Sequence, residues 1–153
     1  MMPPDIRTKP SVLDRLLNEE EPWTVQSKGI RYFKEAVKRD IQWLLNTRQT
    51  VDGIPPDLKE LSSSVAAYGL PDFTTFNPKN LNDQATLRKL IETAIRTFEP
   101  RLEHVVVRVL PLDETTRLLH FRIDGRLKIE PVPEPVSFDT HLDIDRGEIE
   151  LLG

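Results

Sequence analysis

The chain has 153 residues, the length of one domain, and its 21 Lys and Arg against 25 Asp and Glu leave a net charge of −4. This balance argues against a nucleic-acid-binding protein, because such proteins usually carry a strong basic excess. The absence of cysteine excludes disulfides, thiol catalysis and Cys-ligated zinc. We expect no membrane insertion and no export, since the sequence has no long apolar run and no apolar signal region at its start.

Residues 1–10 contain three prolines and no periodic apolar pattern, which predicts a flexible arm before a single domain at residues 11–153. Ser11 precedes several aliphatic residues, with Asp14 in the first turn, a pattern typical of a capped helix start. Pro22 limits this helix to about two turns. A helix this short is marginal alone, so we expect it to dock on its own domain or on a partner.

A long amphipathic helix is predicted from Lys28 to Asn46, with Ser27 as its N-cap, because apolar residues recur at spacings of three and four. The apolar face consists of Ile30, Phe33, Val37, Ile41, Leu44 and Leu45. The other faces carry mostly basic side chains, namely Lys28, Arg31, Lys34, Lys38 and Arg39. We interpret this basic face as solvated, with the docking of an acidic partner as the alternative.

Two further helices are predicted before the strand region. The first is an irregular helix over residues 57–68, which ends at Gly69, a residue that tolerates the left-handed conformation just past a helix end. The second extends over residues 84–98, with Asn82 or Asp83 as its N-cap.

Beyond Pro100 the sequence alternates between apolar and polar residues, which is typical of strands with one buried face. The clearest run extends over residues 119–130 and stays in phase through Gly125, so we expect one long strand with a bulge or a close approach at the glycine. A turn signal at residues 145–147 predicts a short final strand, Glu148 to Leu152. These elements predict an α+β fold, with N-terminal helices followed by an antiparallel three- to four-stranded meander packed on helices.

Few residues indicate catalysis. The histidines at positions 104, 120 and 141 fit no zinc motif, the six glycines form no phosphate-binding loop, and no serine lies in a nucleophile elbow. We therefore expect ordinary surface or half-buried histidines, no metal and no cofactor. A hydrolase with a carboxylate pair is the enzymatic alternative, in which Glu99 would be the acid, although no residue is identified as its partner.

Glu99 lies at the predicted C-terminus of a helix, where a negative charge opposes the helix dipole. Pro100 ends this helix, because the residue before a proline is biased away from helical geometry. Arg101 is close enough in sequence to pair with Glu99. The two side chains either form a local ion pair or bind groups elsewhere, in this chain or in a neighbouring protein.

Four segments together resemble a known family. They are residues 11–16 (SVLDRL), 39–48 (RDIQWLLNTR), 68–73 (YGLPDF) and 98–102 (FEPRL). In this order and spacing they are similar to TssE, the family of small baseplate subunits of the bacterial type VI secretion system. That family is related to the tailed-phage baseplate wedge protein once called a lysozyme. The resemblance extends from about residue 11 to the end of the chain.

The resemblance implies a structural, non-enzymatic subunit of a hetero-oligomeric cytoplasmic baseplate that is docked to the inner-membrane complex. The implied partners are the wedge proteins TssF and TssG, TssK through them, and the contractile sheath, for whose assembly the subunit would be a template. The resemblance also implies that Glu99, Pro100 and Arg101 hold the subunit to the bundle formed by its wedge partners. Other candidate protein-interaction residues within the four segments are Asn46, Arg48, Gly69 and Asp72.

Two hypotheses combine the residue patterns with this resemblance. First, the final strand is expected to be a sheet edge whose unpaired backbone groups accept an extended arm of a sheath subunit, unless Glu148 and Glu150 blunt it. Second, if the Glu99–Arg101 corner docks on the wedge, alanine at either position should weaken partner binding and leave the melting temperature nearly unchanged.

Overall fold

The computed structural model describes residues 11–17, 29–51, 53–111 and 118–152. The predictions for the arm at residues 1–10, the N-cap Ser27 and the stop at Pro22 lie outside these residues. The helices are α1 (Val12–Leu17), α2 (Gly29–Asn46), α3 (Lys59–Ser62) and α4 (Leu81–Phe98), with a 3₁₀ turn at Val65–Ala67. The strands are β1 (Leu102–Val109), β2 (Leu119–Leu127), β3 (Glu134–Asp143) and β4 (Glu148–Leu152). The predicted α+β fold is confirmed.

The four strands form one antiparallel sheet in the order β1-β2-β3-β4, which is the predicted meander. β2 continues through Gly125 without a hairpin, as its unbroken parity predicts. The register of β1 against β2 shifts between Glu103 and Val106. A Cβ at Gly125 would come within 2.9 Å of the Leu102 side chain, so this glycine marks a close approach beside a bulge.

The helices α2 and α4 share one hydrophobic core with the inner face of the sheet. α4 packs along β1, and α2 lies beside β4 at the opposite margin. Fully buried residues of the two layers include Val37, Ile41, Leu45, Ile91, Ile95, Phe121, Ile123, Phe138 and Leu142. Each such side chain contributes about 1.5–3 kcal/mol through its burial, and this core fixes the position of α2 relative to both sheet margins.

The start of α4 differs from its predicted position. The helix begins at Leu81, and its N-cap is Asn80, whose side-chain oxygen accepts from the Asn82 N–H at 2.9 Å. The predicted alternative cap, Asp83, instead accepts a hydrogen bond from the Asn77 N–H at 2.9 Å. The sequence places three good capping residues, Asn80, Asn82 and Asp83, within four positions, and local propensity does not choose between them.

The irregular helix predicted over residues 57–68 is divided into α3 and the 3₁₀ turn. The hydroxyl groups of Ser62, Ser63 and Ser64 bond to carbonyl groups three or four residues earlier. Such bonds compete with regular helix hydrogen bonding and favour an early end. None of the helices within the described residues is long and apolar enough to cross a bilayer.

Candidate protein-interaction site

The corner between α4 and β1 folds two charged side chains onto each other. α4 ends at Phe98, and the N–H of its C-cap residue Glu99 donates to the Ile95 carbonyl at 2.8 Å. Arg101 donates from Nε to Glu99 Oε1 at 2.7 Å and from Nη2 to Oε2 at 2.6 Å. Glu99 is 4% exposed and the Arg101 side chain 13% exposed, whereas Pro100 between them is exposed.

The Arg101 guanidinium also connects the corner to α2 and, through a second arginine, to α1. Its Nη2 lies 2.5 Å from Asp40 Oδ2. Arg39 donates to Asp40 at 2.8 Å and also forms a salt bridge of 3.0 Å with Asp14. We call these five residues the charge network: Asp14, Arg39, Asp40, Glu99 and Arg101.

The charge network is buried deeply enough that its acids depend on their arginines. Asp14 is 6% exposed, and removing an ionised carboxylate from water without a partner costs several kcal/mol. Burial would lower the pKa of Arg101, but its hydrogen bonds and the charges of Glu99 and Asp40 raise that pKa above the ordinary value. Arg39 responds in the same way to Asp40 and Asp14. Both arginines are therefore firmly cationic, and they tie α1, α2 and the α4–β1 corner together.

This burial changes the expected behaviour of alanine variants at the corner. The structure places Glu99 and Arg101 in an internal ion pair that also includes Asp40. Removing one member leaves another charge buried without its partner, which is strongly destabilising. The structure therefore favours a lowered melting temperature for these variants over an unchanged one, and a role of this corner in docking stays a prediction.

The other four candidate residues gather near the C-terminus of α2 rather than at the corner. They are Asn46, Arg48, Gly69 and Asp72. Arg48 Nη1 donates to Asp72 Oδ1 at 2.5 Å, and both side chains are exposed. The Thr74 N–H and hydroxyl, followed by Arg48, lower the pKa of Asp72 to about 2. This cluster orders the loops that follow α2 and the 3₁₀ turn.

Gly69 allows the loop after the 3₁₀ turn to approach the end of α2. Its φ is +106°, and an added Cβ would lie 2.2 Å from the Thr47 carbonyl oxygen. The close approach permits the Leu70 N–H to donate to that carbonyl at 2.9 Å, within a parallel bridge between Arg48 and Leu70. The predicted positive φ at Gly69 is confirmed, and its immediate role is intramolecular packing.

Asn46 acts together with Gln42 along the outer margin of β4. The Asn46 amide accepts from the Ile149 N–H at 2.9 Å and donates to the Ile149 carbonyl at 2.7 Å. Gln42 donates to the same carbonyl at 2.5 Å and accepts from the Leu151 N–H at 2.7 Å. These are the outward groups that an added strand would use. The prediction that β4 is an edge strand is confirmed by the strand order, but the prediction that its outward backbone groups are unpaired is wrong.

Sequence reasoning missed four residues that organise these sites, namely Asp14, Arg39, Asp40 and Gln42. Asp14 was missed because its position in the first turn is already explained by the capped helix start. Arg39 was missed because it belongs to the basic face that we interpreted as solvated. One usable signal was the negative charge of Asp40 directly after the positive charge of Arg39. Another was the spacing of four between Gln42 and Asn46, which places two amides on one helix face.

A groove with a volume of about 1190 Å³ opens beside the charge network. Its apolar lining comes from α1, α2, α4 and the residue after the 3₁₀ turn, and includes Val12, Leu13, Trp43, Tyr68 and Phe98. Tyr68 and Phe98 pack edge to face with their ring centroids 5.3 Å apart. Glu99, Pro100 and Arg101 line one end, and residues 128–131 form another wall. The predicted corner therefore borders a large concave surface.

No group of three or more His, Asp or Glu side chains among the described residues is arranged to hold a metal ion. His120 and His141 lie opposite each other on β2 and β3, with ring centroids 4.3 Å apart, and both are half-buried. The groove itself offers a partner apolar side chains together with the paired charges of the charge network.

Comparisons with known proteins identify the class. The sequence matches the family described as baseplate wedge protein gp25 over residues 31–132, about two thirds of the chain. The chain belongs to this family, so the predicted resemblance is confirmed. A chain in the solved structure titled "The baseplate complex from the type VI secretion system" has a similar fold, with a TM-score of 0.50 and 17% identity over 74% of this chain and 96% of that one. No curated protein matches the sequence.

We expect Arg101→Ala to lower the free energy of unfolding by about 3 kcal/mol, because Glu99 would stay buried without a cation and Asp40 would keep only Arg39 as its partner. Urea unfolding followed by circular dichroism measures this loss. Arg122→Ala is the matched control, since Arg122 and Asp139 form an exposed pair at 2.8 Å, and exposed ion pairs contribute little to stability. Equally small losses in both variants would contradict a structural role of the charge network.

The double substitution Gln42→Ala/Asn46→Ala should expose the margin of β4. We expect the free energy of unfolding to fall by about 2 kcal/mol, at roughly 1 kcal/mol for each lost amide. Hydrogen exchange should accelerate at the Ile149 and Leu151 amides, with the Glu150 amide, which faces β3, as the internal reference. Unchanged exchange at Ile149 and Leu151 would show that the two amides do not protect this edge.

Proposed function

We propose that this chain is a TssE-like subunit of a type VI secretion baseplate, which joins wedge proteins to the base of the contractile sheath. Membership of the baseplate wedge family supports a structural baseplate role. The similar fold of a chain from a type VI secretion baseplate complex, 96% of which is covered, supports this kind of machine. In this proposal the subunit binds TssF and TssG, reaches TssK through them, and works in the cytoplasm in a baseplate docked to the inner-membrane complex.

The observation that carries the proposal is the position of the Glu99–Pro100–Arg101 corner beside the large apolar groove. An exposed apolar concavity of this size is typical of a surface that another protein covers. The resemblance assigns the wedge contact to the same corner. The motif and the groove therefore favour one docking region. In this region Pro100 is accessible to a partner, and the buried pair of Glu99 and Arg101 holds Pro100 in position.

Sheath templating by strand addition would require the hydrogen bonds at the outer margin of β4 to be rearranged. A sheath arm that paired with β4 would have to replace the four hydrogen bonds made by Gln42 and Asn46. Its own backbone groups are capable of this, because they present the same donors and acceptors. We propose that any strand addition at β4 proceeds by such an exchange.

The alternative of a peptidoglycan hydrolase is disfavoured by the state of its candidate acid. A general acid must present a proton to the substrate, whereas Glu99 is buried with both carboxylate oxygens bonded to Arg101. A glycosidase also needs a second carboxylate facing the same bond. Asp40, the other acid of this corner, binds the same guanidinium.

Affinity purification of the tagged chain from its native host, with partners identified by mass spectrometry, tests the proposal. We expect TssF and TssG homologues to co-purify, and we expect the purified chain to leave the turbidity of a peptidoglycan suspension unchanged. Recovery without any wedge or sheath protein would contradict the proposal. Turbidity loss that Glu99→Gln abolishes would instead establish the hydrolase.

A further inference from the structure

α1 is an inverted amphipathic helix, because its acidic side chain faces the domain and its aliphatic side chains face solvent. Its Asp14 is buried, while its aliphatic side chains are between 50% and 73% exposed; they are Val12, Leu13, Leu16 and Leu17. At about 100° per residue these four side chains cover a continuous arc of roughly 140°. A helix of six residues gains too little from its own hydrogen bonds to be stable alone, so an apolar arc facing solvent indicates a surface that a partner buries.

The charge network holds this helix against the domain. Asp14 binds Arg39 at 3.0 Å and accepts a hydrogen bond from the Ser11 hydroxyl at 2.8 Å. Arg39 continues through Asp40 to Arg101, and its guanidinium also lies 4.9 Å from the Trp43 ring centroid. Glu99 and Arg101 are themselves buried, so their part in any contact is to position the residues that a partner touches.

We propose that α1 and Trp43 form a docking surface for an amphipathic helix of a neighbouring baseplate protein, and that the charge network positions it. We call Val12, Leu13, Leu16, Leu17 and Trp43 the α1 surface. The proposal rests on the proposed function only in taking the neighbour to be a baseplate protein. Val12, Leu13 and Trp43 also line the groove, so a helix with apolar residues at spacings of three and four could contact α1 and the groove together.

The charges at the groove indicate the composition of the partner helix. Glu103 is neutralised by Lys128 at 3.1 Å, whereas Glu130 is exposed and forms no ion pair within the part of the chain that the structure describes. A Lys or Arg beside the partner's apolar stripe would complement Glu130. Trp43 is about half exposed and braced by Arg39, as expected of an interface anchor.

Two other occupants fit the α1 surface less well. A second copy joined through α1 would contribute a six-residue helix with four aliphatic side chains, which falls short of the roughly 800 Å² that each partner buries in a stable interface. An anionic lipid surface would be repelled by Glu130 and by the net charge of −4. A protein helix with basic flanks is therefore the favoured occupant.

The variant Leu16→Ser/Leu17→Ser tests the α1 surface without touching the core. We expect its affinity for the wedge complex obtained by affinity purification to fall about 30-fold or more, with an unchanged melting temperature. Val65→Ser/Leu81→Ser is the matched control, because both side chains are exposed outside the α1 surface. Glu130→Lys should also weaken binding, and more strongly at low salt than at high salt.

Asp14 provides the test of positioning. Asp14→Ala should weaken binding although it leaves the apolar arc intact, and Asp14→Glu should restore part of the affinity. Wild-type binding by both the Leu16/Leu17 variant and Asp14→Ala would overturn this inference alone. Self-association of the wild type that Leu16→Ser/Leu17→Ser abolishes would assign the surface to a second copy and overturn it as well. A wild-type chain that binds no wedge protein would overturn this inference together with the proposed function.

Discussion

The buried guanidinium of Arg101 is the constraint on which the rest of this molecule depends. It binds Glu99, two residues earlier in the chain, and Asp40, which is 61 residues away. A carboxylate at a helix C-terminus is unfavourable because of the helix dipole, and burial adds a further cost. One guanidinium offsets both costs and joins the end of α4 to the middle of α2. Arg39 then extends the connection to Asp14 on α1.

Paired charges and accessible apolar surface are separated from each other in this molecule. The acids that might suggest catalysis are occupied by arginines, and the sheet margin that might suggest strand addition is occupied by Gln42 and Asn46. Exposed apolar area is concentrated on α1 and beside the groove. A preformed surface of this kind would lose little further conformational entropy on binding a partner helix, which is what the proposed docking requires.

The parts of the fold that depend on periodicity could be predicted from the sequence. The buried face of α2 follows from residues spaced by three and four, and β2 follows from alternation that remains in phase across Gly125. The start of α4 could not be predicted, since Asn80, Asn82 and Asp83 are all good capping residues. The pairing of Arg101 with Asp40 and the capping of β4 by Gln42 depend on helix packing over long sequence separations, which no local pattern encodes. For the candidate site, the sequence identified the corner, but it could not show that its two charges point inward.

Site-specific photocross-linking inside the assembled machine would test the central claim most directly. A photoreactive residue would replace Leu16 in one strain and Val65 in another, because both side chains are exposed and only the first lies on α1. We expect a cross-link from position 16 to a wedge protein and none from position 65. A wedge cross-link from position 65 with none from position 16 would contradict docking through α1.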